Sequence, residues 1–404
     1  MAKRRREQPL SEPEYVDVEL TDAAAGGAAI GRVDGQVVFA SYGIPGERVT
    51  VEVERRHDDY LEGRVTQVHA ASPHRVEPRC PLFGQCGGCQ YQHVAYPHQL
   101  EIKTKIVADQ LRRIGKFPDP PVRPMLGADD PWHYRNHMRF TAKPRGEVGF
   151  VSRPPRRRFL RVDHCYIARP EINAVLEQVQ GRAQPKLHQV AVRYGVNTGE
   201  LLIQPDLGKF GLEIPSGQPR YHEVLLGRRF AVSGPSFFQV NTPQAERLAA
   251  LVRDRLELRE SHVLVDAYAG VGTFAALLAG SVRRVVAIEE SPSAVKDAAL
   301  NLQGIDNVEL RQGRVEDILP VLREKPDAVI LDPSREGCHQ RALEAVLRFR
   351  PWRVVYVSCD PATLARDLRV LVDGGYRLDE VQPVDMFPQT QHIECVATLT
   401  YAGP

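Results

Sequence analysis

Apolar and polar residues alternate between positions 15 and 70: Val16, Val18 and Leu20, then Val37-Val-Phe39, then Val49, Val51 and Val53, then Val65 and Val68. A period of two places such residues on one face of short strands. Gly26-Gly27, Gly31, Asp34-Gly35, Gly43, Pro45-Gly46 and Gly63 supply the turns between them. The spacing predicts a small β-barrel, a shape that often carries oligonucleotides. An inert accessory barrel fits as well, because the aromatics Phe39, Tyr42 and Tyr60 are too few for a base-stacking platform.

Farther on the period lengthens. Leu100, Ile102, Ile106, Val107, Leu111 and Ile114 recur at helical spacing within 96–117, with Gly115 as a helix stop. Pro118, Pro120, Pro121 and Pro124 then predict an extended linker. Strand-like segments return from 132 to 236, among them His137–Thr141, Gln189–Arg193 and Glu200–Gln204, and predict a mixed, mostly antiparallel domain. From 237 onward strands and helices alternate as in a doubly wound sheet. Val263–Tyr268 is a first strand, Gly270-Val-Gly272 a tight turn, Val285–Glu289 and Ala328–Asp332 are strands ending in carboxylates, and Arg353–Ser358 is a buried strand before a helix opened by Pro361. Tyr376–Val384 and His392–Thr400 read as a closing antiparallel hairpin.

At 404 residues the chain exceeds one ordinary domain, and 43% hydrophobic with 26% charged residues is ordinary for a soluble protein. It holds no apolar run of about 18 residues to span a membrane. The basic start Lys3 to Arg6 leads into a polar stretch rather than a signal-peptide core, so the expected location is the cytoplasm. A net charge of +2 decides little, but Lys3 to Arg6 and the run Arg153 to Arg161 are clustered enough to attract phosphate backbones, or simply to stay solvated.

Three of the seven cysteines, Cys80, Cys86 and Cys89, crowd into ten residues, which in a cytosolic chain argues for metal rather than disulfides. Cys165 is the candidate fourth ligand, since Cys338, Cys359 and Cys395 fall in the last domain. The spacing suits an iron–sulfur site and leaves zinc open. Cys359 ends a strand of the doubly wound sheet, the edge where ligands bind, and the helix N-terminus after it favours a thiolate; alternatively it is a packed core thiol. Gly270-Val-Gly-Thr-Phe-Ala275 satisfies a dinucleotide fingerprint, and Glu289 stands where a ribose-binding acid belongs. Asp266, beside that turn, would repel a pyrophosphate but suits the ammonium and sulfonium of S-adenosylmethionine. Asp332 adds a third carboxylate in the same sense.

With these features the chain resembles the iron–sulfur-containing RNA uracil-5 methyltransferases, and among them the bacterial 23S ribosomal RNA branch. The resemblance rests on Phe237-Phe-Gln-Val-Asn241, Asp266-Ala-Tyr-Ala-Gly-Val-Gly272, Leu331-Asp-Pro-Ser-Arg335, Val357-Ser-Cys-Asp-Pro361 and Phe387-Pro-Gln-Thr-Gln-His-Ile-Glu394. It implies a TRAM-type, OB-like barrel over 9–71, a mixed α+β iron–sulfur domain over 72–92 and 122–236, and an α/β class I methyltransferase domain with a seven-stranded sheet over 93–121 and 237–404. It further implies Cys359 as nucleophile, Glu394 as proton acceptor and Asp332 as uracil-recognising. Gln239, Tyr268, Glu289 and Asp332 would line the S-adenosylmethionine site, and Cys80, Cys86, Cys89 and Cys165 would hold a 4Fe–4S cluster. RNA is the implied partner, 23S ribosomal or transfer, with the enzyme a monomer. Relatives often carry Asn where Asp360 stands here, which touches substrate contacts and not the reacting groups.

The chemistry asks for these residue types. Carbon 5 of uracil becomes nucleophilic once a thiolate adds to carbon 6, and a base must later remove the carbon 5 proton. A target in folded RNA must be flipped or unpaired to reach such a pocket. A small-molecule methyltransferase would not need the barrel, and a non-catalytic RNA-binding module would not need both a nucleophile and a base.

Overall fold

The computed structural model describes residues 13–153 and 157–403; Lys3 to Arg6, and Pro154 to Arg156 of the second basic run, lie outside them. Packing divides the chain into two compact units, Met1–Ile106 with Phe150–Leu160 and Phe387–His392, and Val107–Gly149 with Arg161–Met386 and Ile393–Pro404.

In the first unit β1 (Tyr15–Ala23), β2 (Ala28–Val33), β3 (Gln36–Ser41), β4 (Arg48–Arg56) and β5 (Tyr60–Ala70) form a closed barrel in the order β1-β2-β3-β5-β4. The alternation read from the sequence fills it: Val18, Leu20, Val38, Ala40, Val49, Val51 and Val53 all point into one core. Closure brings strands so near at Gly63 that a Cβ there would lie 2.3 Å from the Glu52 carbonyl, which explains the glycine. Buried Glu47 takes two 2.6 Å bonds from Arg75 and the amides of Ile44 and Ser72, fixing the chain as it leaves the barrel. The charge pairing and amide bonds hold the Glu47 carboxylate below its usual range although burial opposes this.

The predicted helix is α1 (Tyr96–Arg113), ending just before Gly115. Then come β6 (His137–Ala142), β7 (Val148–Val151), β8 (Phe159–Arg161), α2 (Pro170–Val179), β9 (Gln189–Tyr194) and β10 (Leu201–Gln204). Within the second unit β10, β9, β6 and the start of β7 pair antiparallel in that order. A hairpin, β11 (Arg220–Leu225) with β12 (Arg228–Ser233), follows.

After α3 (Thr242–Leu256), capped by Asn241, the chain winds the larger sheet. Its members are β13 (Val263–Ala267), α4 (Thr273–Leu278), β14 (Arg284–Glu289), α5 (Pro292–Asn301), β15 (Val308–Gln312), α6 (Val315–Ile318), β16 (Ala328–Leu331), α7 (Gln340–Phe349), β17 (Arg353–Ser358), α8 (Pro361–Asp373), β18 (Tyr376–Val384) and β19 (Glu394–Tyr401). Seven strands run β15-β14-β13-β16-β17-β19-β18, parallel up to β17, with β19 antiparallel between β17 and β18. Strands β13, β16 and β17 are buried along their whole length, as sheets covered on both faces require.

Candidate active site

The register of the large sheet determines which residues meet. Ala267 pairs with Ile288 on one side and Leu331 on the other, so Tyr268, Glu289 and Asp332 occupy the next row, at the carboxyl ends of three parallel strands. On the antiparallel side the last pair of β17 and β19 is Ser358 with Cys395. One step beyond it Cys359 faces Glu394. Sequence-distant residues thus share one edge because parallel and antiparallel pairings end at the same level.

A cavity of about 1330 Å³ opens over this edge, lined by Gln239, Tyr268, Glu289, Asp332, Arg335, Cys359 and Glu394 among others. That exceeds the ~300–1,000 Å³ of ordinary small-ligand pockets and leaves space for a cosubstrate and a nucleobase together. Glu289 is aimed by two backbone donors, Gly270 N–H at 2.8 Å and Ser291 N–H at 2.7 Å. Tyr268 holds a left-handed φ of 67°, an uncommon conformation for a side-chain-bearing residue, and Gly270 and Gly272 follow at 56° and 82°. Together they wrap the backbone tightly around the site. Asp266, wholly buried, accepts from Ala275 N–H through Oδ2 at 2.9 Å, while its Oδ1 is buried without a hydrogen-bond partner. Burial first, then the charges of Asp332 and Glu289, push Asp266 up to about 7. An orphaned carboxylate oxygen beside a glycine turn fits a cationic ligand group, as S-adenosylmethionine provides.

Around Cys359 the electrostatics differ from the sequence expectation. Half-buried, its thiol is pushed up to about 11, first by burial and then by the Glu394 and Asp332 charges, and Arg335 opposes them by charge and hydrogen bond. The helix N-terminus does not hold a thiolate here: Asp360 consumes it, its Oδ1 accepting from Ala362 N–H and Thr363 N–H at 2.9 and 3.0 Å. Glu394, 4% exposed, is raised well above the carboxylate range by burial and the Asp332 charge. Burial also pushes Asp332 up, to about 7.

The family model described as tRNA (uracil-5-)-methyltransferase matches residues 227–401, and that of the TRAM domain matches 11–66. An RNA methyltransferase of Halalkalibacterium halodurans, itself named as uncharacterized, is 36% identical, with 98% of this chain and 99% of that protein covered. The chain belongs to the uracil-5 RNA methyltransferase family. A second relative, the similarly named RNA methyltransferase of Gloeobacter violaceus, is 37% identical over 96% of this chain and 97% of its own. The crystal structure of Pyrococcus abyssi tRNA (uracil-54, C5)-methyltransferase in complex with S-adenosyl-L-homocysteine superposes with a TM-score of 0.73 at 26% identity, covering 95% of this chain and 100% of that one. This protein is accordingly an S-adenosylmethionine-dependent RNA methyltransferase with a TRAM barrel.

One feature of this methyltransferase escaped the sequence reading. The loop after Asp332 is tied to α8, the helix after Cys359: Thr363 Oγ1 donates to the Arg335 carbonyl at 3.2 Å, and Arg366 Nη2 to that of Glu336 at 2.9 Å. Buried Asp367 accepts from Cys338 N–H at 2.8 Å, Tyr356 O–H at 2.7 Å and Arg366 Nε at 2.7 Å. Gly337, at φ 77°, lies so near that a Cβ would sit 2.4 Å from Arg366 Nη2 and 2.6 Å from Asp367 Oδ2. The proximity of Arg366 and Asp367 to Pro361 in sequence gave no hint of a loop some thirty residues upstream.

The four cysteines at which the resemblance implies a cluster lie in two separate segments of the chain. Cys80, Cys86 and Cys89 sit in one turn-rich loop of the first unit and Cys165 in the second unit, all half-buried. Burial raises Cys80 and Cys86, Cys86 also through the charge of Cys80, and Gly88 N–H approaches Cys86 Sγ at 3.4 Å. Asn173 of α2 brackets Cys165, accepting from its N–H at 2.8 Å and donating to its carbonyl at 3.1 Å. Among the described residues no three His, Cys, Asp or Glu side chains converge as metal ligands would. No step of the reaction is derived through a cluster.

The second basic run is also partly spoken for. Arg153 pairs with Glu54 at 2.6 Å and stacks over Tyr42 at 5.2 Å, and Arg161 pairs with Asp163 at 2.9 Å.

Proposed function

We propose that the protein methylates carbon 5 of a uridine in 23S ribosomal RNA through a covalent adduct on Cys359. The supporting observation is that Cys359 and Glu394 stand opposite each other one step past the last β17–β19 pair, with Asp332 beside them in the same cavity. The Cys359 sulfur adds to carbon 6 of the uracil, moving the ring electrons to an enolate whose carbon 5 attacks the sulfonium methyl. S-adenosylhomocysteine leaves with the sulfur's new electron pair. Glu394 then takes the carbon 5 proton, and the electrons of that bond expel the thiolate from carbon 6.

The raised thiol has a consequence for the first step. Since the Glu394 and Asp332 charges raise it, their protonation removes that opposition and leaves Arg335 as the local counter-charge, so the thiolate forms most readily while the carboxyls hold protons. A carboxylate raised by burial is in turn a stronger base once it ionises. Asp332, at the end of β16 beside Cys359, is placed to hydrogen-bond the uracil edge and reject cytosine. Gln239, Tyr268 and Glu289 line the cosubstrate's part of the cavity.

Transfer RNA is the second reading, favoured by the likeness to the Pyrococcus abyssi enzyme. The cysteine spacing supports a 4Fe–4S cluster on Cys80, Cys86, Cys89 and Cys165, and the domain limits, monomeric state and cytoplasmic site follow from the resemblance. Incubation with 5-fluorouridine-substituted 23S and transfer RNA transcripts and S-adenosylmethionine tests the chemistry and the substrate together. A denaturation-resistant protein–RNA band with the 23S transcript is expected. A band with transfer RNA alone reassigns the substrate, and free methylated product with no band at all rejects the adduct.

A further inference from the structure

One face of the antiparallel sheet in the second unit gathers positive charge at the edge of the catalytic cavity. Along β6 and the three residues before it, Tyr134, Asn136, Met138 and Phe140 are buried, so Arg135, His137 and Arg139 share the opposite face. Cross-strand pairing sets Arg193 of β9 directly beside His137. Burial, followed by Arg193, Arg135 and Arg139, holds the His137 imidazole down at about 3, so it is neutral and able to donate. Among the described residues neither Arg135 nor Arg139 is ion-paired; the recorded bond of Arg135 is from Nε to the His137 carbonyl at 3.1 Å. Arg193 is 6% exposed, and its Nη1 is buried without a partner.

Arg193 of this face and Asn136, on the other side of β6, touch the cavity wall. Arg193 Nη2 donates to the Ser236 carbonyl at 2.6 Å and to that of Gly234 at 3.2 Å, and Asn136 Nδ2 donates to the Gln239 carbonyl at 3.3 Å. Between those two anchor points Phe237, 70% exposed, lines the cavity rim. Like charges held this close repel one another, and an apolar ring held in water is equally uncompensated. A polyanion carrying flat bases answers both.

We propose that the Arg135–His137–Arg139–Arg193 face binds the phosphodiester backbone of the substrate RNA beside the target uridine, with Phe237 stacking on a base at the rim. This rests on RNA being the substrate and is independent of which atom is methylated. Each phosphate contact contributes about 0.7 to 0.9 to the slope of log affinity against log salt.

The test measures filter binding of S-adenosylhomocysteine-loaded protein to 23S and transfer RNA transcripts across about 50 to 200 mM KCl, the range where that slope is steep. Arg139→Ala and the pair Arg135→Ala/Arg139→Ala should flatten the slope by about 0.7 per arginine removed, Arg139→Glu should weaken binding further, and Arg139→Lys should restore the slope. Parent-like S-adenosylhomocysteine affinity shows that each variant is folded. A folded double variant with the parent's affinity and slope overturns the proposal, and weakened binding of polyglutamate with RNA binding unchanged would assign the face to an acidic protein instead. If the slope flattens while the parent forms no adduct with 5-fluorouridine RNA, the face stands and the uracil-5 adduct falls.

Discussion

Asp266→Asn should stabilise the ligand-free enzyme at alkaline pH while weakening its grip on S-adenosylmethionine. A carboxyl whose pKa is raised on folding holds its proton more tightly folded than unfolded. Its folding contribution is most favourable below the unfolded value and is lost as pH rises through the folded one, here from 3.8 to about 7. Three pKa units at about 1.4 kcal/mol each set an upper bound of about 4 kcal/mol on the cost of the ionised form at pH 8. Asn keeps the acceptor for Ala275 N–H and carries no charge, so it escapes that cost. From pH 5 to about 7 the parent loses two of those units, so the advantage of the variant should grow by about 2–3 kcal/mol between pH 5 and pH 8. Urea unfolding without ligand at the two pH values reads this difference directly. At pH 8 the variant has lost the negative charge beside the glycine turn, and its S-adenosylmethionine affinity should fall about 10- to 100-fold, as expected when a charged partner is removed. Equal stability differences at both pH values would refute the assignment of the raised pKa to Asp266, and unchanged affinity would remove Asp266 from the cosubstrate site.

Cys359→Ala should abolish both methyl transfer and the 5-fluorouridine adduct in a gel assay, with calorimetric cosubstrate binding near the parent value; turnover would sink the nucleophile assignment. For Glu394→Gln, methyl transfer precedes the blocked proton removal, so a covalent protein–RNA band should accumulate with ordinary RNA, and normal release of methylated RNA would mean another base. Removing the cap with Asp360→Ala leaves two amides of α8 unmet and should cost about 1 kcal/mol in urea unfolding; no loss would show that water replaces the cap fully. Anaerobically purified protein should contain about four irons per chain, and Cys165→Ser should lose most of them; a single zinc with no iron would overturn the cluster proposal.

Strict alternation made the barrel legible, because Val18, Leu20, Val49 and Val51 have only one face on which to be buried. The parallel strands were legible for a different reason: β13, β16 and β17 are mostly apolar, and Tyr268, Asp332 and Cys359 follow them directly at the functional edge. Strand β15 escaped notice since Val308-Glu-Leu-Arg-Gln312 lies at the sheet margin, where half-exposure permits charge. Motifs named Cys359 and Glu394, but their juxtaposition depends on β19 inserting between β17 and β18, a pairing no local pattern encodes. The protonated thiol was equally hidden. It arises first from burial and then from the carboxyls of Glu394 on β19 and Asp332 just after β16, whereas the local sequence offered only a helix N-terminus that Asp360 turns out to occupy.

The tie between α8 and the loop after Asp332 bears on how this enzyme can change its target. Ser334 and Glu336 are exposed, so their side chains can be exchanged for others that meet a different RNA, whereas Arg335 between them bonds the Cys359 thiol. Gly337 admits no side chain, and the Cys338 amide shares one buried carboxylate with Tyr356 and Arg366. Libraries that seek new specificity can therefore randomise Ser334 and Glu336 at fixed length while keeping Arg335, whereas an insertion or deletion would displace the loop and the helix after Cys359 together and cost the reaction along with the selectivity.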